Sequence, residues 1–424
     1  MSPPGAPKSP RRGRPFWGIA ALTAACGLAA PTPSIAAGAS PPVTLTDRAR
    51  ELHASSLVID GHNDLPWELR SQARGEFDRL DIAQPQPTLQ TDIPKLRRGG
   101  VGAQFWSVWV PGGTAKRGAA LSTTLEQIDL VKAMIARYPE TFELALTTDD
   151  IVRIHKSGKI ASLIGVEGGY SIEGSLNVLR QLYELGARYM TLTHTDSLPW
   201  ADSGTDEPRA GGLSPFGHDV IREMNRLGMM VDLSHVSPEC MKAALRATRA
   251  PVIFSHSSAR GVADHPRNVP DDVLKLTAAN GGVVMVNFFS AFLVPETARI
   301  DAARMAFRRE QVQAGLSEDE IEAALRRWDA QQGGRGPRGT IHVLIDHIDH
   351  IVKVAGVDHV GLGSDYDGVT ILPEQLEDAS SYPYITQALL DRGYRDEDVR
   401  KILGGNLLRA MRAAEGAATR VEAN

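Results

Sequence analysis

Cysteine is scarce in this chain of 424 residues, which holds only Cys26 and Cys240. Cys26 falls in an N-terminal segment that we expect to be removed, so the mature chain would keep one thiol. A chain with one thiol can form no internal disulfide, and a lone cysteine usually packs as a small buried hydrophobe. A disulfide framework is therefore excluded as the basis of the fold.

An excess of positive charge is also missing, because 46 Lys and Arg residues stand against 51 Asp and Glu residues, a formal net charge of −5. A surface that binds nucleic acid needs clustered Lys and Arg, and the sequence shows no basic face. We therefore expect no nucleic-acid partner. With 42% hydrophobic and 23% charged residues, the composition is that of an ordinary globular protein.

The one apolar run of any length, Phe16 to Ala30, is shorter than the roughly 20 residues that span a bilayer. Four basic residues precede it, and the small-x-small sequence Ser34-Ile35-Ala36 follows it. This order is typical of a secretory signal peptide, which we assign to residues 1–36. The prediction is export to the periplasm or extracellular space without a stable membrane anchor. Lipoprotein anchoring through Cys26 is disfavoured because Thr23 stands where a lipobox usually has Leu.

The remaining chain alternates short apolar runs with longer helical patterns. The strand-like runs are Leu57–Asp60, Ala103–Val110, Ala161–Val166, Tyr189–Thr193, Met229–Leu233, Val252–Ser255, Val283–Phe288 and His359–Gly363. Such alternation predicts an α/β protein with a parallel sheet covered by helices. Eight units favour a (β/α)8 TIM-type barrel, with a doubly wound open sheet as the alternative. We assign residues 37–45 to a linker, 46–415 to the barrel domain and 416–424 to a polar tail.

The segment from Pro295 to Arg338, after the seventh strand, interrupts this alternation with a long charged helical pattern. Ser317 and Glu320 form a capping box at the start of its second helical stretch. A barrel would place this helical insertion at the rim of the active-site face. Three interpretations remain open: a wall of the site, a subunit contact that would make the protein a homodimer, or a surface decoration.

Polar residues suited to metal or proton chemistry follow most of the predicted strands. His62 and Asp64 follow the first run, Glu167 the third, His194 the fourth, His235 the fifth, His256 the sixth and Asp365 the eighth. The C-terminal ends of all barrel strands open onto one face, where barrel enzymes have their active sites. The sequence therefore predicts that these side chains form a single site.

The spacing within this set favours two metal ions. His62 and Asp64 are two residues apart, so both project to the same side of an extended backbone. Imidazole and carboxylate ligands suit Zn²⁺ or a similar divalent ion. Four such groups around one ion would leave His235 and His256 unused, whereas two ions sharing the glycine-flanked Glu167 use the whole set. We therefore expect two Zn²⁺ per chain, bridged by Glu167 and by a water or hydroxide.

Two adjacent metals can polarise a carbonyl group and lower the pKa of a bridging water. Asp365 arrives from the last strand and could orient that water and take its proton. His194 has no evident role as a ligand, and could donate a hydrogen bond to the carbonyl oxygen as negative charge develops there. The expected chemistry is metal-assisted hydrolysis, with Asp365 and His194 as catalytic residues.

Taken together, these motifs resemble the membrane dipeptidase family of metallopeptidases, over nearly all of the mature chain. The motifs that carry the resemblance are Val58-Ile59-Asp60-Gly61-His62-Asn63-Asp64-Leu65-Pro66-Trp67, Gly165-Val166-Glu167-Gly168-Gly169, Thr191-Leu192-Thr193-His194, Asp232-Leu233-Ser234-His235-Val236-Ser237, Pro251-Val252-Ile253-Phe254-Ser255-His256-Ser257-Ser258-Ala259 and Arg267-Asn268-Val269-Pro270-Asp271-Asp272. The resemblance implies an exported zinc dipeptidase that hydrolyses the peptide bond of dipeptides, with tolerance of D-residues at the C-terminal position.

The resemblance also implies a role for each residue. His62 and Asp64 would bind one zinc, and His235 and His256 the other, with Glu167 between them. Asp365 would deprotonate the bridging water, and His194 would contact the substrate carbonyl.

Two further residues enter as substrate ligands through the resemblance alone. Arg267 would pair with the C-terminal carboxylate of the substrate, a task that suits a planar, bidentate cation. Phe292 stands where the family typically has a substrate-contacting Tyr, so the hydroxyl contact is in question here.

Two alternatives stay open. Another binuclear amidohydrolase could act on lactones, cyclic amides or β-lactams, but such enzymes commonly bridge their metals with a modified Lys, and the third strand offers Glu167 instead. An inactive relative that only binds metal or peptide should have lost a ligand or Asp365, whereas every expected position is filled.

Overall fold

The computed structural model describes residues 41–418, except for the side chains of Glu318 and Asp319. Its parallel strands are β1 (Val58–Asn63), β2 (Val101–Trp109), β3 (Phe142–Leu144), β4 (Ile160–Glu167), β5 (Ala187–Thr191), β6 (Met230–Asp232), β7 (Ile253–Phe254), β8 (Val283–Val286) and β9 (Val360–Leu362). The predicted signal peptide lies outside the described residues, as does the end of the predicted tail.

Eight of these strands close into a barrel. The sheet order is β2-β1-β9-β8-β7-β6-β5-β4, and β2 also pairs with β4 over Ala103–Trp109 and Ala161–Glu167, which joins the two ends. The predicted (β/α)8 barrel is therefore confirmed, and an open doubly wound sheet is excluded because that arrangement would leave two free edges. All eight predicted strands are present in it.

The strand that the sequence reading missed, β3, lies outside the closed barrel. It pairs with the first three residues of β4, below the point where β5 begins its own pairing with that strand. Three residues give too short an alternation to be distinguished from a loop.

Helices surround the barrel or lie at its mouth. They are α1 (Asp47–Ala54), α2 (Leu65–Ala73), α3 (Ile93–Arg98), α4 (Gly113–Lys116), α5 (Ala120–Arg137), α6 (Thr148–Lys156), α7 (Leu176–Glu184), α8 (Pro215–Leu227), α9 (Pro238–Ala247), α10 (Asp271–Asn280), α11 (Ser290–Leu293), α12 (Pro295–Gln313), α13 (Glu318–Gln331), α14 (Ile341–Ala355), α15 (Tyr382–Asp391), α16 (Asp396–Arg400) and α17 (Asn406–Ala417). Short 3₁₀ turns occupy Gly169–Ile172 and Val357–His359, and a π turn at Lys401–Gly405 leads into α17. Among the described residues, no helix combines the length and the apolar character that a membrane span requires.

Helix α8 shows how local sequence sets these elements. The Ser214 side chain accepts a hydrogen bond from a backbone N–H of the first turn, and Pro215 occupies the first helical position, where its missing N–H costs nothing. Gly228 ends the helix in the left-handed region, with φ 79°, which a side chain would disfavour. Ile221 and Met224 lie three apart and are buried against the barrel.

The barrel interior is filled by side chains, and one glycine decides what reaches the site. A Cβ atom at Gly165 on β4 would collide with the ring of Tyr189 on β5. Because Gly165 has none, the fully buried Tyr189 crosses the interior and brings its hydroxyl within 2.8 Å of His62 Nδ1. A side chain of the barrel interior, Tyr189, thus supports His62, the metal-ligand candidate on β1.

The insertion after β8, the seventh barrel strand, forms two helices, α12 and α13. Ser317 and Glu320 make the expected reciprocal capping box at the start of α13. We call residues 295–338 the helical hairpin below. It belongs to the mouth of the barrel, at the end where the strands finish.

Candidate active site

A cavity of about 420 Å³ opens at the C-terminal ends of the strands. Its lining residues are Asp64, Trp67, Glu68, Trp109, Glu167, His194, Thr195, Thr205, His235, His256, Arg267, Phe289, Phe292, Met305, Asp365, Asp367, Gly368 and Val369. Every site residue predicted from the sequence lines this cavity except His62, which lies directly beneath it and is fully buried. The strand ends therefore converge as the barrel topology requires.

The first group of potential metal ligands comes from β1 and β4. His62 Nε2 lies 3.3 Å from Asp64 Oδ2 and 3.3 Å from Glu167 Oε2. All three side chains are at least nine-tenths buried. One imidazole and two carboxylates thus face a common point.

The second group shares Glu167 through its other oxygen. His235 Nε2 lies 2.8 Å from Glu167 Oε1, and His256 Nε2 lies 3.4 Å from the same atom. The two imidazole Nε2 atoms are 2.8 Å apart. The carboxylate of Glu167 therefore stands between the two groups, with one oxygen toward each.

The protonation of the two imidazoles in the second group, His235 and His256, fits metal binding. Burial lowers the pKa of His235 and of His256 well below the ordinary value for histidine, so both rings are neutral and carry a free lone pair. His62 Nε2 is buried and has no hydrogen-bond partner, although two carboxylates face it. Imidazole nitrogens and carboxylate oxygens that lie within a few ångströms of one another are the donor set that a divalent cation requires. The residues present therefore fit two metal ions.

Residues behind the ligands orient them, and sequence reasoning missed these. His62 Nδ1 lies 2.8 Å from the Tyr189 hydroxyl, which donates to the Gly61 carbonyl, and His256 Nδ1 lies 2.7 Å from Ser255 Oγ. Ser107 Oγ donates to Glu167 Oε2 at 3.0 Å. Partners on Nδ1 leave Nε2 free to bind a metal. Tyr189 and Ser107 are distant in sequence from the ligands that they contact, so only the packing of neighbouring strands reveals those two contacts.

Asp365 lies beside the first group on a strained loop. Its backbone has φ 63°, a left-handed conformation that is uncommon for a residue with a side chain, and Asn287 Nδ2 donates to its Oδ2 at 2.7 Å. A Cβ at Gly368 would collide with the carboxylates of Asp64 and Asp365. Burial, together with the negative charge of Asp64, raises the pKa of Asp365 well above its ordinary value.

His194 is more exposed than the other histidines of the site, with 21% of its side chain accessible. Its Nε2 is 3.7 Å from Glu167 Oε1, and its ring packs 4.3 Å from His235 and 5.6 Å from Trp109 between centroids. Burial lowers its pKa. The ring therefore faces the cavity, close to the second group of ligands.

Arg267 and Phe292 form another part of the cavity lining. The Arg267 side chain is buried, and its Cζ lies 5.2 Å from the centre of the Phe292 ring. Its NH2 donates to the His256 carbonyl at 3.3 Å. Within the part of the chain that the structure describes, no carboxylate forms an ion pair with it. Burial lowers its pKa to about 10, so the guanidinium stays charged at neutral pH and can receive an anion.

A barrel with carboxylates and imidazoles grouped in this way at its strand ends defines a metal-dependent hydrolase. A family model described as Membrane dipeptidase (Peptidase family M19) matches residues 46–424. The chain belongs to this family, and it is accordingly a metallopeptidase that acts on dipeptides. The resemblance read from the motifs is confirmed.

Solved structures agree in fold. The probable dipeptidase PvdM from Pseudomonas aeruginosa is 26% identical with a TM-score of 0.75, over 88% of this chain and 98% of that chain. An amidohydrolase from the same organism is 24% identical with a TM-score of 0.66, over 87% and 99%. A metallopeptidase from Rhodobacter sphaeroides, solved with a phosphinate mimic of L-Ala-D-Ala, is 22% identical with a TM-score of 0.70, over 85% and 100%.

Proposed function

We propose that the protein is a dipeptidase with two zinc ions, one held by His62 and Asp64 and the other by His235 and His256. The carboxylate of Glu167 would bridge them. The observation that carries this proposal is the placement of its two oxygens, Oε2 at 3.3 Å from His62 Nε2 and Oε1 at 2.8 Å from His235 Nε2. Imidazole and carboxylate donors without thiolates suit zinc.

The bound ions would polarise the scissile carbonyl and increase the acidity of the attacking water. Asp365 orients that water, takes its proton and passes it to the leaving amine, because its carboxylate is buried beside the ligand groups and fixed by Asn287. His194 donates a hydrogen bond to the carbonyl oxygen as negative charge develops there. Its partly exposed ring faces the cavity, where a substrate carbonyl could reach it.

Arg267 binds the C-terminal carboxylate of the substrate, and Phe292 packs beneath the guanidinium. Recognition of a free C-terminus this close to the ligand groups would limit the enzyme to dipeptides, since a longer chain would place an amide where Arg267 needs a charge. The missing tyrosine hydroxyl at Phe292 leaves the guanidinium as the main determinant of carboxylate binding.

Substrates with a D-residue at the C-terminal position are part of the proposal. Support comes from the Rhodobacter sphaeroides metallopeptidase with its L-Ala-D-Ala mimic. Export is a further part, and it is supported by the basic, apolar and small-residue order of residues 1–36.

Metal analysis combined with a substrate panel tests the proposal. We expect two zinc ions per chain, and hydrolysis of L-L and L-D dipeptides but not of lactones or phosphotriesters. Among the described residues, no lysine lines the cavity, so a lysine-bridged hydrolase of those other substrates is not expected. Hydrolysis of lactones at higher kcat/KM than any dipeptide, or one metal per chain at full activity, would contradict the proposal.

A further inference from the structure

Helix α12 of the helical hairpin lies across the mouth of the cavity. Its residues Asp301, Met305 and Arg309 are four apart, so they form one face of the helix. Each of them contacts the barrel side: Asp301 approaches His265, Met305 lines the cavity, and Arg309 reaches the carbonyl of Thr205. This stripe is the part of the hairpin that faces the site.

Asp301 fixes the first turn of the stripe next to Arg267, the proposed ligand of the substrate carboxylate, which we call the carboxylate clamp. Its buried carboxylate lies 3.4 Å from His265 Nε2 and 3.0 Å from Arg335 NH2. The His265 ring packs 4.7 Å from the Phe292 ring, and His265 Nδ1 accepts a hydrogen bond from the backbone N–H of Arg267 at 3.2 Å. Met305, one turn further along α12, is therefore placed on the Phe292 and Arg267 side of the cavity.

Further contacts along α12 hold the helix in this position. Arg304 Nε donates to Asp329 Oδ1 on α13 at 3.0 Å, and the Phe307 and Trp328 rings stack with centroids 6.1 Å apart. At the far end, Arg309 NH1 donates to the Thr205 carbonyl at 3.1 Å. The Met305 side chain is thus presented to the cavity by a braced helix, not by a free loop.

We infer that Met305 is a specificity-determining residue, which forms with Phe289 and Phe292 an apolar subsite for the side chain of the substrate's C-terminal residue. This inference rests on the proposed role of Arg267, because the side chain on the same Cα as the bound carboxylate must lie beside the clamp. Phe289 and Phe292 are 5.1 Å apart and pack together at the mouth. A flexible thioether adapts to apolar side chains of different shape. The subsite therefore selects Leu, Met or Phe over Ala or charged residues.

A panel of L-Ala-X dipeptides, with X as Ala, Leu, Phe or Lys, tests this subsite in wild type and variants. Met305→Ala should lower kcat/KM for X = Leu and Phe about five- to tenfold while changing X = Ala less than about twofold, since buried methylenes discriminate at this level. Met305→Glu should reverse the preference for apolar over charged side chains. It should raise kcat/KM for X = Lys by about threefold, an effect in the range expected for a partly exposed ion pair. Met305→Leu should retain the wild-type order.

Glu310→Ala is the matched control, because Glu310 is an exposed residue on the opposite face of α12. This substitution should leave kcat/KM unchanged for every dipeptide of the panel. Binding of phosphinate mimics of Ala-Ala and Ala-Leu, measured by calorimetry, gives a readout that does not depend on turnover. If Met305→Ala and Met305→Glu lower kcat/KM for every substrate, and the affinity for both mimics, by the same factor, the inference is overturned while dipeptidase activity stands. If wild type hydrolyses no dipeptide, the proposed function fails, and the ratio of the two mimic affinities still decides whether Met305 selects the side chain.

Discussion

The strand ends of the barrel and the helical hairpin both contribute to one cavity, yet they are built differently. At the strand ends, polar side chains are almost completely buried, and buried hydroxyl and amide groups from neighbouring strands fix them. The hairpin has a largely solvated surface, and ion pairs, an aromatic stack and a local capping box hold it together. The strand ends depend on the whole barrel, whereas the hairpin is held together largely by contacts between its own two helices and is attached to the barrel at Asp301 and Arg309.

This difference indicates that the strand ends serve metal binding and catalysis, whereas the hairpin serves substrate selection. Metal ligands must converge to within a few tenths of an ångström, so they are placed on strands whose positions many contacts determine. Substrate selection tolerates looser placement, and a hairpin attached at the rim can change without disturbing the ligands. We therefore expect changes at the strand ends to abolish catalysis and changes in the hairpin to alter preference.

The largest effect should come from Glu167→Gln, because the amide removes the charge that both ligand groups share. We expect loss of metal and a fall in kcat/KM by about three orders of magnitude or more, since bound metals supply several kcal/mol of transition-state stabilisation. Elemental analysis of the purified protein gives the metal content. Ser107→Ala, which removes only the hydrogen bond to Glu167, should keep both metals. Two metals and near-normal turnover in Glu167→Gln would refute the bridge.

Asp365→Asn should keep both metals and lower kcat by roughly 10²- to 10⁴-fold, because an amide can hydrogen-bond but cannot take a proton. Asn287→Ala frees the same carboxylate without removing it and should cost far less. Steady-state kinetics on metal-verified protein separates the two. Unchanged kcat in Asp365→Asn would assign the proton transfer to another group.

Arg267→Ala should raise KM by about 10- to 100-fold, which corresponds to the free energy of a hydrogen bond to a charged group. The change in kcat should be smaller. The variant should also lose discrimination between dipeptides and their C-terminal amides. Arg267→Lys should be intermediate, because an ammonium group lacks the bidentate geometry. If wild type hydrolyses the free acid and the amide at equal rates, the carboxylate clamp is wrong.

Tyr189→Phe tests whether support from inside the barrel matters to the metal. Loss of the hydroxyl that faces His62 Nδ1 should weaken metal affinity by about 10- to 100-fold, as is usual for partners behind a ligand. Competition with a chelator measures the affinity, and excess zinc should restore activity. An unchanged affinity would show that β1 alone orients His62.

The smallest effect should come from Ser317→Ala, which breaks the capping box of α13. The loss of one exposed helix cap should lower the thermal unfolding midpoint by at most a few degrees, with metal content and kcat unchanged. Calorimetry and the dipeptide panel check both parts. A large loss of metal or of kcat would contradict the separation between the hairpin and the strand ends.

Much of the fold and site was predictable because the signals are local. Most of the apolar runs end in a residue with suitable chemistry, and barrel topology alone brings such ends together. Tyr189 was predicted as part of a strand but not as a partner of His62, since nothing local marks which interior side chain crosses the barrel. The capping box at Ser317 was legible, whereas the contact of Asp301 with His265 joins residues 36 positions apart.

The sequence by itself determined the eight barrel strands, the ligand types and the helical nature of the hairpin, because period, capping and motif are properties of neighbouring residues. Only the tertiary structure decided that the two oxygens of Glu167 face different histidines. It also decided that Met305, among the many residues of a charged helix, lines the cavity. The physical reason is that these contacts depend on strand register and on how a helix packs across the barrel mouth, and both are settled by the burial of the whole domain.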